Sequence, residues 1–277
     1  MDIKKSDIIT MASIKGGVGK SVLSILFSYV LKELGKKVLL IDLDPQNSLT
    51  SYFNRYISNI EKYNVYSMLK GDFHFNECIY KINDYISIIP SHPILGKFNS
   101  EAIDYKEIIL EHHLNENIQN YNFDYVLLDT PPSLDFLLKN ALNVANYIVI
   151  PVQVEIWSIE SFTILINAVN DITKFRKKIY NISIVENQFI KNRNTIKEVE
   201  DLLYKEYREY IKGKVHFSNS IKVLINGRLE PSAKEMYHKE IKDTLKNIFF
   251  IVNIFVSHNI TYLELFDIGQ VILPKIT

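Results

Sequence analysis

The chain has 277 residues, of which 47% are apolar and 23% are charged, so it can bury a full hydrophobic core. Its 32 basic residues balance 32 acidic ones, which gives no overall attraction to nucleic acid, and the single cysteine, Cys78, excludes an internal disulfide and is typical of a reducing compartment. No stretch approaches the ~20 consecutive apolar residues of a membrane span, and the first residues lack the apolar segment of a signal peptide, so we expect a cytoplasmic protein.

Short apolar runs alternate with longer amphipathic segments, which is typical of βα units on a parallel sheet. The predicted strands, in chain order, cover residues 8–13, 38–42, 86–90, 125–129, 147–152 and 182–186, with a short seventh at 215–217. The predicted helices cover residues 20–34, 100–120, 158–175, 195–211 and 233–256. A single domain over residues 1–277 accounts for them, with an α/β fold whose doubly wound, mostly parallel sheet is flanked by helices. Ligands of such sheets bind beyond the carboxyl ends of the strands.

A glycine-rich segment joins the first predicted strand to the first predicted helix, and residues 15–21 read Lys-Gly-Gly-Val-Gly-Lys-Ser. Glycines allow a tight turn whose N–H groups face a phosphate, and the positive end of the following helix points to the same place. In such a loop Lys20 supplies a charge to the β- and γ-phosphates, and the Ser21 hydroxyl ligates Mg²⁺. The alternative, a glycine turn with no ligand, is disfavoured by the strand before it and the helix after it.

Two of the predicted strands end in carboxylates. Residues 42–46 read Asp-Leu-Asp-Pro-Gln, and residues 125–133 read Tyr-Val-Leu-Leu-Asp-Thr-Pro-Pro-Ser. A carboxylate at a strand end beside a phosphate loop orients a water molecule or holds Mg²⁺. This chemistry suits Asp44, supported by Asp42, and it suits Asp129. The alternatives are an ordinary Asp-Pro turn and an ordinary residue at a strand end.

Together these segments resemble the deviant Walker A box, the A′ motif, and the Walker B and switch II region of the ParA/MinD family of P-loop ATPases. The resemblance implies ATP and Mg²⁺ as cofactors and a sandwich homodimer in which Lys15 reaches the partner's phosphates. It implies that Lys15, Lys20 and Asp44 are catalytic, with Asp44 positioning the hydrolytic water. Ser21, Asp44 and Asp129 would form the metal site. The implied nucleotide-binding residues are Lys15, Gly16, Gly17, Val18, Gly19, Lys20, Ser21, Val22 and Asn187.

Other positions match the family less closely. Most members carry Thr or Ser where this chain has Val22, and they carry a proline beside adenine where residues 216–219 read His-Phe-Ser-Asn. The first departure removes a hydroxyl that in the family helps to hold the α-phosphate, and the second leaves the adenine site undefined by the resemblance. Asn187 matches an asparagine that reads adenine, although a turn residue is the alternative. Residues 150–155 resemble a P-V-Q-x-E segment near the dimer face.

Two features bear on DNA. Lys222 matches an arginine that relatives use for non-specific DNA binding, and it keeps the charge but loses the planar guanidinium. Basic runs lie at residues 174–178 and 205–214. They are either phosphate contacts, which would be strongly salt-dependent, or solvated helix faces.

The resemblance covers roughly residues 8–245 and fits ParA better than MinD, because residues 263–274 lack the basic amphipathic helix of a membrane-binding member. We expect no helix-turn-helix domain before the first strand. The expected function is plasmid or chromosome partition by an ATP-dependent dimer, which binds nucleoid DNA non-specifically. A ParB-like, centromere-binding partner would stimulate its slow hydrolysis and so release it. The alternatives are a MinD-like ATPase that positions a protein or acts on a membrane, and a nucleotide-binding scaffold with little hydrolysis.

Overall fold

An eight-stranded sheet runs through the computed structural model, which describes residues 6–153, 157–178, 180–189 and 194–257. Its spatial order is β3-β4-β2-β5-β1-β6-β7-β8. Within these residues only β3 and β4, at one edge, pair in antiparallel fashion, and the other pairs are parallel. The doubly wound, mostly parallel sheet predicted from the sequence is confirmed. The strands are β1 (Asp7–Met11), β2 (Val38–Asp42), β3 (Tyr80–Lys81), β4 (Ile86–Ile89), β5 (Tyr125–Asp129), β6 (Tyr147–Val152), β7 (Asn181–Phe189) and β8 (Ile211–His216).

Helices cover both faces of this sheet. Because successive side chains of a strand point to opposite faces, Val38 and Leu40 pack towards one helical layer, and Leu39 and Ile41 pack towards the other. None of the helices within the described ranges is both long and apolar enough to cross a membrane. The helices are α1 (Lys20–Glu33), α2 (Ser48–Phe53), α3 (Val65–Lys70), α4 (Ile109–Asn117), α5 (Phe136–Val144), α6 (Trp157–Arg176), α7 (Asn194–Tyr207), α8 (Asn219–Gly227) and α9 (Met236–Ser257).

The structure corrects two predicted helices. The helix predicted at residues 100–120 begins only at Ile109, because Tyr105 adopts a left-handed φ of 54° and Lys106 turns inward to donate to the carbonyl of Asn99 at 3.1 Å. The helix predicted at residues 195–211 ends at Tyr207, because Ile211 begins β8 and pairs with β7. The last strand therefore covers Ile211–His216 rather than residues 215–217. β3 and the helices α2, α3, α5 and α8 were not predicted from the sequence.

The sheet order brings the predicted motifs to one edge. β5 lies between β1 and β2, and its last residue, Asp129, pairs in register with Met11 of β1 and with Asp42 of β2. The loop after β1 and the carboxylates that end β2 and β5 are therefore neighbours. β6 and β7 follow on the other side of β1. Their ends reach the same loop from that side.

Candidate nucleotide site

The loop after β1 turns through two glycines with positive φ, 76° at Gly17 and 91° at Gly19. Lys20 then begins α1, and its Nζ atom folds back to donate to the carbonyls of Ser13 at 3.3 Å and Lys15 at 3.5 Å. Gly17 itself is exposed at the outside of the turn. A turn of this kind, at the N-terminus of a helix, is suited to holding a phosphate group.

Side-chain amides from β7 and from the residue after β6 hold the loop from the other side. Asn187 donates its Nδ2 hydrogen to the Val18 carbonyl at 2.7 Å, and Gln188 and Gln153 both donate to the Gly17 carbonyl, at 3.0 and 3.1 Å. The β7–β8 ladder is irregular between Asn187 and Phe189. Gln188 occupies that irregularity with a φ of 56°, a left-handed conformation that is uncommon outside glycine.

The contacts of the two glutamines with Gly17 were not predicted from the sequence. Gln153 lies in the segment predicted to sit near the dimer face, but no local pattern marks it as a ligand of the loop. Asn187 does reach the phosphate loop, and it is 94% buried there. Its predicted contact with adenine stays a prediction. Glu155, which belongs to the same predicted segment as Gln153, lies outside the described residues, as do residues 263–274.

Asp129 is a fully buried carboxylate at the end of β5. Burial, reinforced by the charge of Asp42, raises its pKa well above the usual range, and the nearby Ser21 hydroxyl and Lys20 ammonium oppose that rise. Neither of its oxygens has a hydrogen bond of normal geometry from any described group. Mg²⁺ prefers oxygen ligands. A buried carboxylate with a hydroxyl close to it therefore fits this ion. Asp129 and Ser21 would hold that ion together with phosphate oxygens.

Asp42 is also fully buried, but its oxygens are well bonded. It accepts from the Thr50 hydroxyl at 2.6 Å, from the Thr50 N–H at 2.9 Å and from the Asp44 N–H at 3.1 Å. Burial raises the pKa of Asp42 to about 7, although these hydrogen bonds lower it. Asp42 therefore holds the backbone at Asp44, and its supporting role in catalysis stays a prediction.

Asp44 is 9% exposed, and its Oδ1 atom accepts from the Gln46 N–H at 2.9 Å. Burial raises the pKa of Asp44, and the negative charge of Asp135 adds to that rise, while the Lys20 ammonium lowers it. The same ammonium loses much of its hydration, so that burial lowers the pKa of Lys20, while Asp129 and Asp44 raise it. The structure thus brings together Lys20, Asp44 and Asp129.

The remaining predicted residues lie further from this centre. Lys15 is half-buried beside Pro151 and Phe162, at the start of the cleft between the loop and α6. Val22 is half-buried and packs against the core on the α1 side of the sheet. Lys222 is exposed on α8, and its ammonium lies 4.6 Å from the centre of the Phe217 ring.

Each of the two basic runs has a charge that is paired within the monomer. Arg176 is engaged by Glu111, and Lys214 contacts both Glu186 and Glu200. By contrast, Lys174, Lys177, Lys205 and Arg208 are exposed. The runs at 174–178 and 205–214 are therefore partly neutralised within the monomer. Their contact with DNA stays a prediction.

Comparison with known proteins gives one family and close relatives in sequence. The model of the AAA domain family AAA_31 matches residues 6–184. The sporulation initiation inhibitor protein Soj of Bacillus subtilis is 35% identical over 170 residues, which are 60% of this chain and 66% of Soj. The chromosome-partitioning ATPase Soj of Thermus thermophilus is 34% identical over 164 residues, or 59% of this chain and 61% of that protein. These matches span less than two thirds of either relative.

A solved structure matches over more of the chain. The crystal structure of a putative plasmid partition protein from Borrelia burgdorferi B31, bound to AMPPNP, superposes with a TM-score of 0.80. The two sequences are 33% identical, and the match covers 90% of this chain and 100% of the other. The likeness therefore extends beyond the matched domain and includes the part of the chain that carries β7 and β8.

Proposed function

The chain belongs to the ParA family of P-loop ATPases, within the AAA_31 domain family, and we propose that it is an ATP-driven switch for the partition of plasmid or chromosomal DNA. The observation that carries this proposal is the convergence of Lys20, Asp44 and Asp129 at the phosphate loop. Lys20 is a buried ammonium close to two buried carboxylates. A bound nucleotide would pair its phosphates with the ammonium, and its metal ion would pair with a carboxylate.

Nucleotide binding follows from the shape of the loop. The turn at residues 16–19, which is exposed at Gly16 and Gly17, offers backbone N–H groups, and the start of α1 adds its positive dipole. Lys20 would leave its carbonyl partners for the β- and γ-phosphates, since a phosphate is the stronger acceptor. Ser21 and Asp129 would hold Mg²⁺, which neutralises charge that develops on the phosphates.

Hydrolysis would depend on Asp44. Asp44 follows β2 and feels the charge of Lys20, and its carboxylate would accept a hydrogen bond from a water molecule beside the γ-phosphate. It must be ionised to do so, and the Lys20 ammonium favours the ionised form. Slow intrinsic turnover that a centromere-binding partner stimulates would make the protein a timer rather than a metabolic catalyst.

The switch would act through a dimer and DNA. Lys15 is half-buried at the start of the phosphate loop, and in the dimer its ammonium would extend to a nucleotide held by a second copy of the chain. Lys222 presents an exposed charge on α8, and the Phe217 ring holds it in place. Contacts from such lysines to DNA phosphates would be weakly selective for sequence and sensitive to salt.

The experiment that tests this proposal measures DNA binding by the purified protein with ATP-Mg²⁺, with ADP-Mg²⁺ and without nucleotide, across a salt series. Lys15→Ala and Lys222→Ala are the test variants, and Lys70→Ala removes one charge elsewhere as a matched control. The proposal predicts salt-sensitive binding that requires ATP and is lost in both test variants but kept in the control. Absence of binding in every nucleotide state would favour the positioning of a protein cargo.

A nucleotide-binding scaffold with little hydrolysis is the second candidate, and Val22 is the observation that favours it. An apolar side chain packs into the core at the position where most relatives offer a hydroxyl. A comparison of ATP affinity with single-turnover hydrolysis separates the two candidates. Tight ATP binding without turnover, even in the presence of DNA and the partner, would establish the scaffold.

A further inference from the structure

The segment that follows β4, residues 91–99, lies against the loop that carries Asp44. The Ser91 N–H donates to the Thr50 hydroxyl at 2.8 Å, and that hydroxyl donates to the Asp42 carboxylate at 2.6 Å. Further along the segment, a Cβ atom on Gly96 would lie 3.9 Å from the Cβ of Pro45, which is ordinary van der Waals contact. The segment is therefore anchored to the loop after β2 through a buried chain of hydrogen bonds.

The other end of the segment forms hydrogen bonds with the start of α5. Asn99 uses both halves of its side-chain amide, since Nδ2 donates to the Asp135 carboxylate at 2.9 Å and Oδ1 accepts from the Phe136 N–H at 3.2 Å. Asp135 in turn caps α5, because its Oδ1 atom accepts from the N–H groups of Leu137 and Leu138, each at 3.0 Å. The Ser133 hydroxyl donates to the same Asp135 Oδ2 atom at 2.7 Å. The half-buried Asn99 amide therefore holds the cap together with Ser133, and it also binds the first residue of the helix.

The segment that carries Asn99 is itself held by packing and by a hydrogen bond. Leu95 and Phe98 of the same segment are fully buried. The backbone carbonyl of Asn99 accepts a hydrogen bond from the Lys106 ammonium at 3.1 Å. These contacts restrict the movement of the segment. The segment therefore forms a fixed connection between α5 and the loop after β2.

This connection spans the two motifs that would respond to the γ-phosphate. Asp135 ends the stretch that begins at Asp129, the carboxylate that would hold Mg²⁺. Asp135 is also close enough to Asp44 that its charge adds to the rise in the pKa of Asp44. A displacement of the start of α5 would change the surroundings of Asp44.

We propose that Asn99 is a positioning residue for ATP hydrolysis, which holds Asp135 and the start of α5 in register with the loop that carries Asp44. The inference rests on the proposed ATPase function. Asn99 contacts neither the phosphate loop nor Lys20 in the hydrogen bonds described above, so ATP binding should not depend on it. Its effect should fall on the turnover rate.

A reciprocal exchange of the two side chains tests the contact. In Asn99→Asp, a carboxylate faces the Asp135 carboxylate and the donor is lost. In Asp135→Asn, the new amide must use its oxygen to cap α5, so that its N–H₂ group faces the N–H₂ group of Asn99. In the double variant, the new carboxylate at position 99 accepts from the new amide and from the Phe136 N–H, and the cap survives.

The measurement is steady-state ATP hydrolysis with Mg²⁺ and DNA, together with ATP affinity. A small displacement of a catalytic group is costly, so each single variant should lower kcat by about tenfold. KM and the Kd for ATP should stay unchanged, and the double variant should recover most of kcat. Asn117→Asp, which removes an amide donor to a backbone carbonyl at the far end of α4, serves as the matched control and should leave kcat unchanged.

Other outcomes would contradict either the positioning role of Asn99 or the proposed function. Single variants with the kcat of the wild-type protein, a double variant as slow as the singles, or a loss of ATP affinity that accounts for the loss of rate would overturn the positioning role while leaving the ATPase in place. Absence of hydrolysis by the wild-type protein under any of these conditions would overturn the proposed function as well.

Discussion

The side-chain amide of Asn187 donates a hydrogen bond to the carbonyl of Val18 at 2.7 Å and so ties the end of β7 to the phosphate loop. The two residues are 169 positions apart in the sequence. The contact leaves no room for a side chain at position 19, because a Cβ atom on Gly19 would lie 2.1 Å from the same amide nitrogen. The phosphate loop is therefore shaped by its own glycines and also by the strand that packs against it.

Gly19→Ala should impair ATP binding for two reasons, the clash with Asn187 and the φ of 91°. A strained left-handed residue costs about 1–3 kcal/mol, so we expect the Kd for ATP to rise at least tenfold. Titration calorimetry measures this directly. Gly16→Ala is the comparison, because its Cβ would meet only the Pro132 side chain at 4.0 Å, and it should weaken binding less. Equal losses in the two variants would argue against the steric account.

Asp44→Asn should separate hydrolysis from binding. The amide keeps the size of the side chain but removes the charge that would orient water, and such a loss typically costs about 10²–10⁴-fold in rate. Turnover of ATP should fall to that extent while the Kd for ATP changes little. Asp72→Asn, at an exposed position, is the control and should turn over normally. A variant at position 44 that hydrolyses ATP at the normal rate would remove Asp44 from the mechanism.

Asp129→Asn should stabilise the nucleotide-free protein. Burial raises the pKa of Asp129 in the folded state above its value in the unfolded chain, so folding favours the protonated acid. The resulting penalty is absent below the unfolded pKa and grows as pH rises, by at most about 1.4 kcal/mol per unit. Urea unfolding without nucleotide at pH 5, 6 and 7 should therefore show a gain in the variant that increases with pH.

The same substitution should remove the stabilisation that Mg²⁺ adds in the presence of ATP, since the carboxylate is the proposed ligand. A change to Asn at the exposed Asp72 should give no pH-dependent gain. If the difference between Asp129→Asn and wild type were the same at every pH, the buried carboxylate would not be the source of the effect.

Val22→Thr should strengthen ATP binding. The two side chains are similar in size, and Val22 is only half-buried, so the hydroxyl can face the nucleotide. One added hydrogen bond is worth about 0.5–1.5 kcal/mol, which corresponds to a Kd for ATP lower by roughly two- to tenfold. Val223→Thr, on the exposed surface of α8, is the matched control. An unchanged Kd in Val22→Thr would show that the departure from the family pattern has no cost.

The strands and turns that depend on neighbouring residues can be predicted from the sequence. Residues 38–42 and 125–129 are strands with the predicted bounds, because each is a continuous apolar run that ends in a carboxylate. The glycine pattern at residues 15–21 likewise predicts a turn that opens a helix. Each of these features depends on neighbours along the chain. A single sequence therefore suffices to find them.

The contacts that connect the motifs cannot be predicted from the sequence, because they join residues that are far apart in the chain. Asn99 meets Asp135 across 36 positions, and the segment that presents it carries no recognisable pattern. Gln188 contacts Gly17 from a position at which the β7–β8 ladder is irregular. Ile211 continues a helical pattern in the sequence, yet pairing with the edge of the sheet makes it the start of a strand. Tertiary contacts decide each of these cases.

The most direct test of the switch is the mass in solution of the Asp44→Ala variant, measured by light scattering with ATP-Mg²⁺, with ADP-Mg²⁺ and without nucleotide. The chain has a mass of 32.3 kDa. We predict twice that mass with ATP alone, and the mass of one chain in the other two states and in Asp44→Ala/Lys15→Ala with ATP. The same mass in every nucleotide state, or a dimer that does not need Lys15, would contradict an ATP-sandwich switch.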